Sequence, residues 1–143
     1  MDPVFTAKII LSLVAIAMGV GPMRADFNST HATNPLWPPH ARFHVVWQVL
    51  AQTGVSIFVL VLLWGYPSDL HNWMAAALNY NWLLSFVFTV SSMKLYDGAL
   101  KDVNGIKPFK FNIGGKIREV DTNVFGACIL ATLNTIAVIL LLS

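Results

Sequence analysis

Four apolar segments, each about the 20 residues that a helix needs to cross a bilayer, leave this chain little choice of fold: 4–23, 43–64, 73–93 and 122–142. Ten of the sixteen charged residues fall in one stretch between the last two segments, Lys94 to Asp121, and the other 115 positions hold six. Charged residues make up 11% of the chain, against roughly 25% in an ordinary soluble domain. The expected fold class is therefore an all-α integral membrane protein. It is a bundle of four transmembrane helices forming a single membrane domain over residues 1–143. Gly21-Pro22 is expected to stop the first helix and Gly65-Tyr66-Pro67 the second. Trp47, Trp64, Trp73 and Tyr96 fall near predicted ends, where an aromatic belt places them, and Lys8 is close enough to an end to snorkel.

The first segment has a rival reading as a cleaved signal peptide, with Lys8 ahead of the apolar run from Ile9 to Val20. The acidic start Met1-Asp2-Pro3, and no good small-x-small cleavage site after it, favour a span. Composition also excludes whole classes. A net charge of +2 with pI near 8.9 reflects few acids rather than many bases, so no nucleic-acid partner is expected. The single Cys128 rules out an intramolecular disulfide and a cysteine-based zinc cage. The partners to expect are membrane lipids and a lipophilic small molecule, with homo- or hetero-oligomerisation in the membrane left open.

Within the charged 94–121 loop, Ile106 to Ile113 partly alternates, Gly114-Gly115 can supply the positive φ of a tight turn, and Lys116 to Val120 returns. A small β-hairpin is expected there, with a solvated loop as the alternative.

One polar region stands out between the first two segments, Asp26 to His44, which holds three of the four histidines. Pro38-Pro39 pre-sets φ for a helix start, so His40 falls in the first turn of the second helix. His40 and His44 are then i, i+4 neighbours on one face, continued by Trp47 and Ala51, and counting on in fours gives the polar stripe Gln48, Gln52 and Ser56. In the third segment Asn81, Ser85, Thr89, Ser92 and Tyr96 share a face at helical spacing, with Asp97 at its end, and Asn123 begins the fourth. Together these predict a polar cavity with His40, His44 and Asp97 at its mouth. Plain interhelical hydrogen bonding is the alternative use of such stripes.

Histidine titrates near neutrality, and a partly buried carboxylate can be tuned to match it, which is what proton transfer requires. His40 and His44 are the expected proton donor and acceptor, with Asp26 or Asp97 orienting one of them. Arg42 is expected to hold a polar substrate end, and Asn34, Trp37, Trp47, Gln48, Asn81, Tyr96 and Asn123 to line the substrate site. The expected activity is isomerase-like: rearrangement or cyclisation of a lipophilic substrate, with a non-catalytic accessory or lipid-binding protein as the alternative. No cofactor is implied. His40 and His44 have helical metal-ligand spacing, but a catalytic site generally needs a third protein ligand, and His31 and Asp26 are separated from them by proline-rich loop. No metal is expected.

The run Asp26-x-Asn28-x-Thr30-His31-x-x-Asn34-Pro35-x-Trp37-Pro38-Pro39-His40-Ala41-Arg42-Phe43-His44 resembles the signature of a poorly characterised family of small four-helix membrane proteins. The resemblance covers these nineteen residues, implies the four-helix build, and brings no activity to transfer. Small membrane proteins of similar build work beside tailoring enzymes in natural-product pathways, which favours a lipophilic substrate. A looser resemblance is to the sterol-isomerase and sigma-2-receptor group. The acidic residues of that group have no counterpart in these helices, where the only glutamate, Glu119, lies in a loop.

Lysine and arginine set orientation. The connections 24–42 and 94–121 carry eight of the nine, and the amino end carries only Lys8. Both loops are expected to be cytoplasmic and both termini non-cytoplasmic, although Asn28-Ser29-Thr30 is a glycosylation sequon that needs the opposite arrangement. In sealed vesicles, epitope tags at the two termini should lie together on the non-cytoplasmic side. Cytoplasmic exposure of either tag, or a glycan on Asn28, would reverse the assignment.

Overall fold

The computed structural model describes residues 2–66, 68–100 and 104–143. Pro67, expected as a helix stop, and the charges of Lys101 and Asp102 lie outside the described residues. Four long helices run α1 (Pro3–Asp26), α2 (Pro39–Gly65), α3 (Asp69–Ser92) and α4 (Thr122–Leu141), with a 3-10 turn at Met93–Leu95 and strands β1 (Phe109–Ile113) and β2 (Lys116–Val120) before α4. α1, α2 and α4 are each long and apolar enough to cross a membrane. α3 matches them in length but not in apolarity, because Asn72, Asn79, Asn81 and a run of hydroxyls interrupt its apolar residues.

Local chemistry explains where each element begins. Asp2 accepts hydrogen bonds from the backbone N–H groups of Val4 and Phe5, with Pro3 in the first turn. Ser68 caps α3 through His71 N–H, and Asp121 caps α4 through Asn123 and Val124 N–H. α2 starts on Pro39. One expected boundary is corrected: α1 does not stop at Gly21-Pro22 but runs through Pro22 to Asp26. Proline removes one donor and costs stability inside a helix without always ending it. The stop comes from Asn28, whose Nδ2 donates to the carbonyls of Arg24 and Ala25, both at 3.0 Å.

The hairpin is present, antiparallel in the register Phe109↔Val120 to Ile113↔Lys116. Gly114 and Gly115 take φ of 58° and 77°, the left-handed pair of a type I′ turn.

The helices pack with α1 at the centre, touching each of the other three. Its i, i+4 stripe of Ala7, Leu11 and Ala15 meets Val59 and Leu63 of α2, Ala75 and Ala76 of α3 and Ala137 of α4. Small side chains let the backbones approach. A Cβ on Gly19 would lie 3.0 Å from both Cβ and Oγ of Ser56.

Polar links stitch the same contacts. Trp64 Nε1 donates to Ser12 Oγ at 2.9 Å, and Lys8 Nζ sits 4.4 Å over the Trp64 ring. Deep in the bundle, the fully buried Asn79 and Asn134 bond side chain to side chain at 3.1 Å. Asn79 Nδ2 also donates to Leu11 O and Asn134 Nδ2 to Ala76 O, both at 3.3 Å, so two amides join α1, α3 and α4. Replacing Asn134 with Leu should destabilise the bundle by about 1–2 kcal/mol. This would be read as a lower midpoint for loss of helical signal in detergent. Asn81→Leu, on the exposed side of α3, should leave the midpoint unchanged. Equal effects would contradict this packing of α3.

Candidate functional site

The polar face of α3 does not build the expected cavity. Asn81, Ser85, Thr89 and Tyr96 are exposed on the outside of the bundle. Ser85 Oγ donates to Asn81 O and Thr89 Oγ1 to Ser85 O, both at 2.7 Å, and Tyr96 OH donates to Thr89 O at 2.8 Å. These hydroxyls are satisfied by their own helix, so nothing draws them inward. The inward face instead carries Asn72 and Asn79, with Ala75 and Ala76 between them. Asn123 is exposed on the first turn of α4 and contributes only its backbone N–H to the Asp121 cap.

The loop joining α1 to α2 is tightly built. Asn28 Oδ1 accepts from Thr30 N–H at 2.8 Å and from Thr30 Oγ1 at 2.7 Å. With its Nδ2 already committed to the end of α1, the sequon asparagine uses its amide as a helix stop and turn former. Asn34 is fully buried, with Nδ2 donating to Thr30 O and Oδ1 accepting from Leu36 N–H, both at 3.0 Å. Both bonds serve the backbone of the loop itself.

Asp26 turns to His31, with Oδ1 3.4 Å from Nδ1. Thr30 Oγ1 lies 2.8 Å from the same nitrogen, and the Trp37 ring meets the imidazole edge-on at 5.1 Å. The carboxylate expected to orient His40 or His44 therefore orients His31, a residue the sequence reading considered only as a metal ligand. Asp97 is exposed in the turn after the 3-10 segment at a φ of 53°. Among the described residues it pairs with no histidine.

His40 and His44 do come together. Their Nε2 atoms are 3.0 Å apart, one donating to the other, with ring centroids 4.5 Å apart and planes at 84°. Both are exposed at the start of α2. Phe43 stacks on His40 at 6.2 Å, and Trp47 lies 5.9 Å from His44. Directly beyond this cluster Phe43, Val46, Trp47 and Leu50 line an open apolar groove of about 310 Å³. Gln48 is exposed one turn past His44. Arg42 lies two residues from each histidine, roughly 200° around the helix, so it emerges on the opposite side of α2 from the pair.

A second apolar groove, of about 260 Å³, runs between α3 and α4 along Leu83, Val87, Val124 and Cys128. Neither groove is lined by any of Asn81, Ser85, Thr89, Ser92 or Tyr96; the second takes in Ser91, which is outside that stripe. Among the described residues no third histidine, cysteine or carboxylate joins the His40–His44 pair, which by itself offers a metal two nitrogens.

The molecule is thus a helical bundle with three helices long and apolar enough to cross a membrane and a histidine-rich polar end. Residues 10–110 match a family described as of unknown function (DUF6640), and the chain belongs to that family. The match takes in the whole Asp26–His44 region and all of α2 and α3. No curated protein and no solved structure is detectably similar to the chain.

Proposed function

We propose that the protein spans the membrane four times, with α3 as the additional span, and acts by proton transfer on the polar end of a lipophilic small molecule. The observation that carries this reading is the 3.0 Å contact of His40 and His44 at the rim of the Phe43–Leu50 groove. Two neutral imidazoles in N–H···N contact hold one ring nitrogen ready to accept and another ready to donate. An amphiphile whose apolar body follows the groove along α2 brings its head to this pair. Withdrawal of a proton at one carbon and its return at another is the step common to isomerisation and cyclisation of such substrates. Asp26 serves the neighbouring His31 in this scheme, and Arg42 is available to an anionic group approaching the other side of α2.

Charge distribution supports cytoplasmic placement of the connections 24–42 and 94–121, with the termini on the other side. Exposed Asn81 on α3 would be better satisfied against a neighbouring helix than against lipid, which favours association with another copy or another membrane protein.

A second reading, a non-catalytic lipid-binding or accessory protein, is favoured by one feature: both histidines are exposed and the groove is open along its length. The two are separated by comparing lipophilic metabolites made with wild type, His40→Ala, His44→Ala and the double variant at matched membrane abundance. Proton transfer predicts a loss of conversion of about 10²-fold or more for each single change. The double variant should be little worse, because the pair acts as a unit. Unchanged conversion would remove the histidines from chemistry. Absence of any wild-type product, with bound lipid lost in Trp47→Ala, would favour the second reading.

A further inference from the structure

The hairpin before α4 separates its charges by face. In the observed register Phe109, Phe111 and Ile113 of β1 stand opposite Val120, Arg118 and Lys116 of β2, and directly paired residues share a face. That face carries two cations and no acid. The other carries Lys110, Asn112, Ile117 and Glu119, and there Lys110 Nζ is neutralised by Glu119 at 3.4 Å.

The acid-free face is also the one turned toward the helices. Phe109 and Phe111 pack on Phe125, in the second turn of α4, at 5.1 and 5.9 Å. Thr122 Oγ1 donates to Lys107 O at 2.9 Å, fixing the base of the hairpin beside the start of a membrane-crossing helix. Beyond Phe125 the face overhangs. Ile113 is 65% exposed at the tip, and Lys116 and Arg118 are exposed beside it. Among the described residues this end of the bundle carries seven cations and four acids, and the opposite end one cation and two acids.

We propose that the Phe111–Ile113–Lys116–Arg118 face of the hairpin docks on anionic phospholipid headgroups of the leaflet in which α4 begins. Ile113 and the exposed edges of Phe109 and Phe111 enter the interfacial layer, and Lys116 and Arg118 meet lipid phosphates and carboxylates, an arrangement that neutral headgroups reward far less. The Lys110–Glu119 face looks to water. The inference rests on the membrane placement of the chain and not on the histidine chemistry.

Full-length protein with Cys128→Ala and a single Ile113→Cys, labelled with an environment-sensitive fluorophore, provides the test. It is reconstituted into phosphatidylcholine vesicles with or without about 30% phosphatidylserine. In anionic vesicles the emission should shift to the blue and be quenched by a lipid-borne quencher. Both effects should be lost in Lys116→Gln/Arg118→Gln, and weakened in about 1 M salt, where the Debye length is about 3 Å. A label at Asn112→Cys should stay in water throughout. Equal emission at Ile113 in the two lipid mixtures, insensitivity to the Gln substitutions, or equal quenching at position 112 would overturn the proposal. Substrate conversion is not read, so the result is independent of the fate of the His40–His44 reading.

Discussion

Hydrocarbon offers no hydrogen-bond partner, so a polar side chain inside an apolar bundle must be matched by the protein itself. Here that constraint acts through the Asn79–Asn134 pair, which ties α3 to α4 directly and to α1 through the Leu11 carbonyl. α3 is the least apolar of the helices and has least to gain from burial alone. Its two inward amides, together with Ala75 and Ala76, give it a specific seat on the central helix. The match is incomplete: Oδ1 of Asn79 and Oδ1 of Asn72 are buried without a partner. An unmade bond of this kind costs about 1–3 kcal/mol, so the asparagines specify the arrangement of α3 more than they stabilise it.

The ends of the bundle divide the work. At the end with the termini, Lys8, Trp64 and Ser12 lock α1 to α2. At the other end the connection from α1 to α2 spends its polar groups on its own folding. Asn28, Thr30 and Asn34 satisfy backbone groups, and Asp26 holds His31. What that loop leaves unspent is the first turn of α2, where His40 and His44 turn to one another. The pair stands beside an open apolar groove and not in an enclosed chamber, and on the proposed reading an amphiphile would meet it without leaving the bilayer.

Much of this was legible in the sequence. Apolar length marked out all four helices, Pro38-Pro39 marked the first residue of α2, and partial alternation broken by Gly114-Gly115 marked the hairpin. Two things were not. α3 has two polar faces at helical spacing, and periodicity cannot say which turns inward. The physical difference lies in the side chains: Ser85, Thr89 and Ser92 bond back to their own helix, whereas the amide of Asn79 reaches beyond its own to Leu11 and Asn134. The inward face was therefore the one with amides flanked by alanine. Loop closure was the other. The sequence placed Asp26 and three histidines in one short region, but only the turn made by Asn28 and Thr30 decides that the carboxylate meets His31.

The proposal that α3 crosses the membrane alongside three more apolar helices, held by the Asn79–Asn134 pair, can be tested directly. Cysteines introduced singly at Leu70 and Leu95 in a Cys128→Ala background bracket that helix, both at exposed positions. In sealed, uniformly oriented vesicles a membrane-impermeant maleimide added outside should label one of the two and reach the other only after the membrane is opened. Labelling of both from the same side would mean that α3 does not cross, and the four-span arrangement would fall with it.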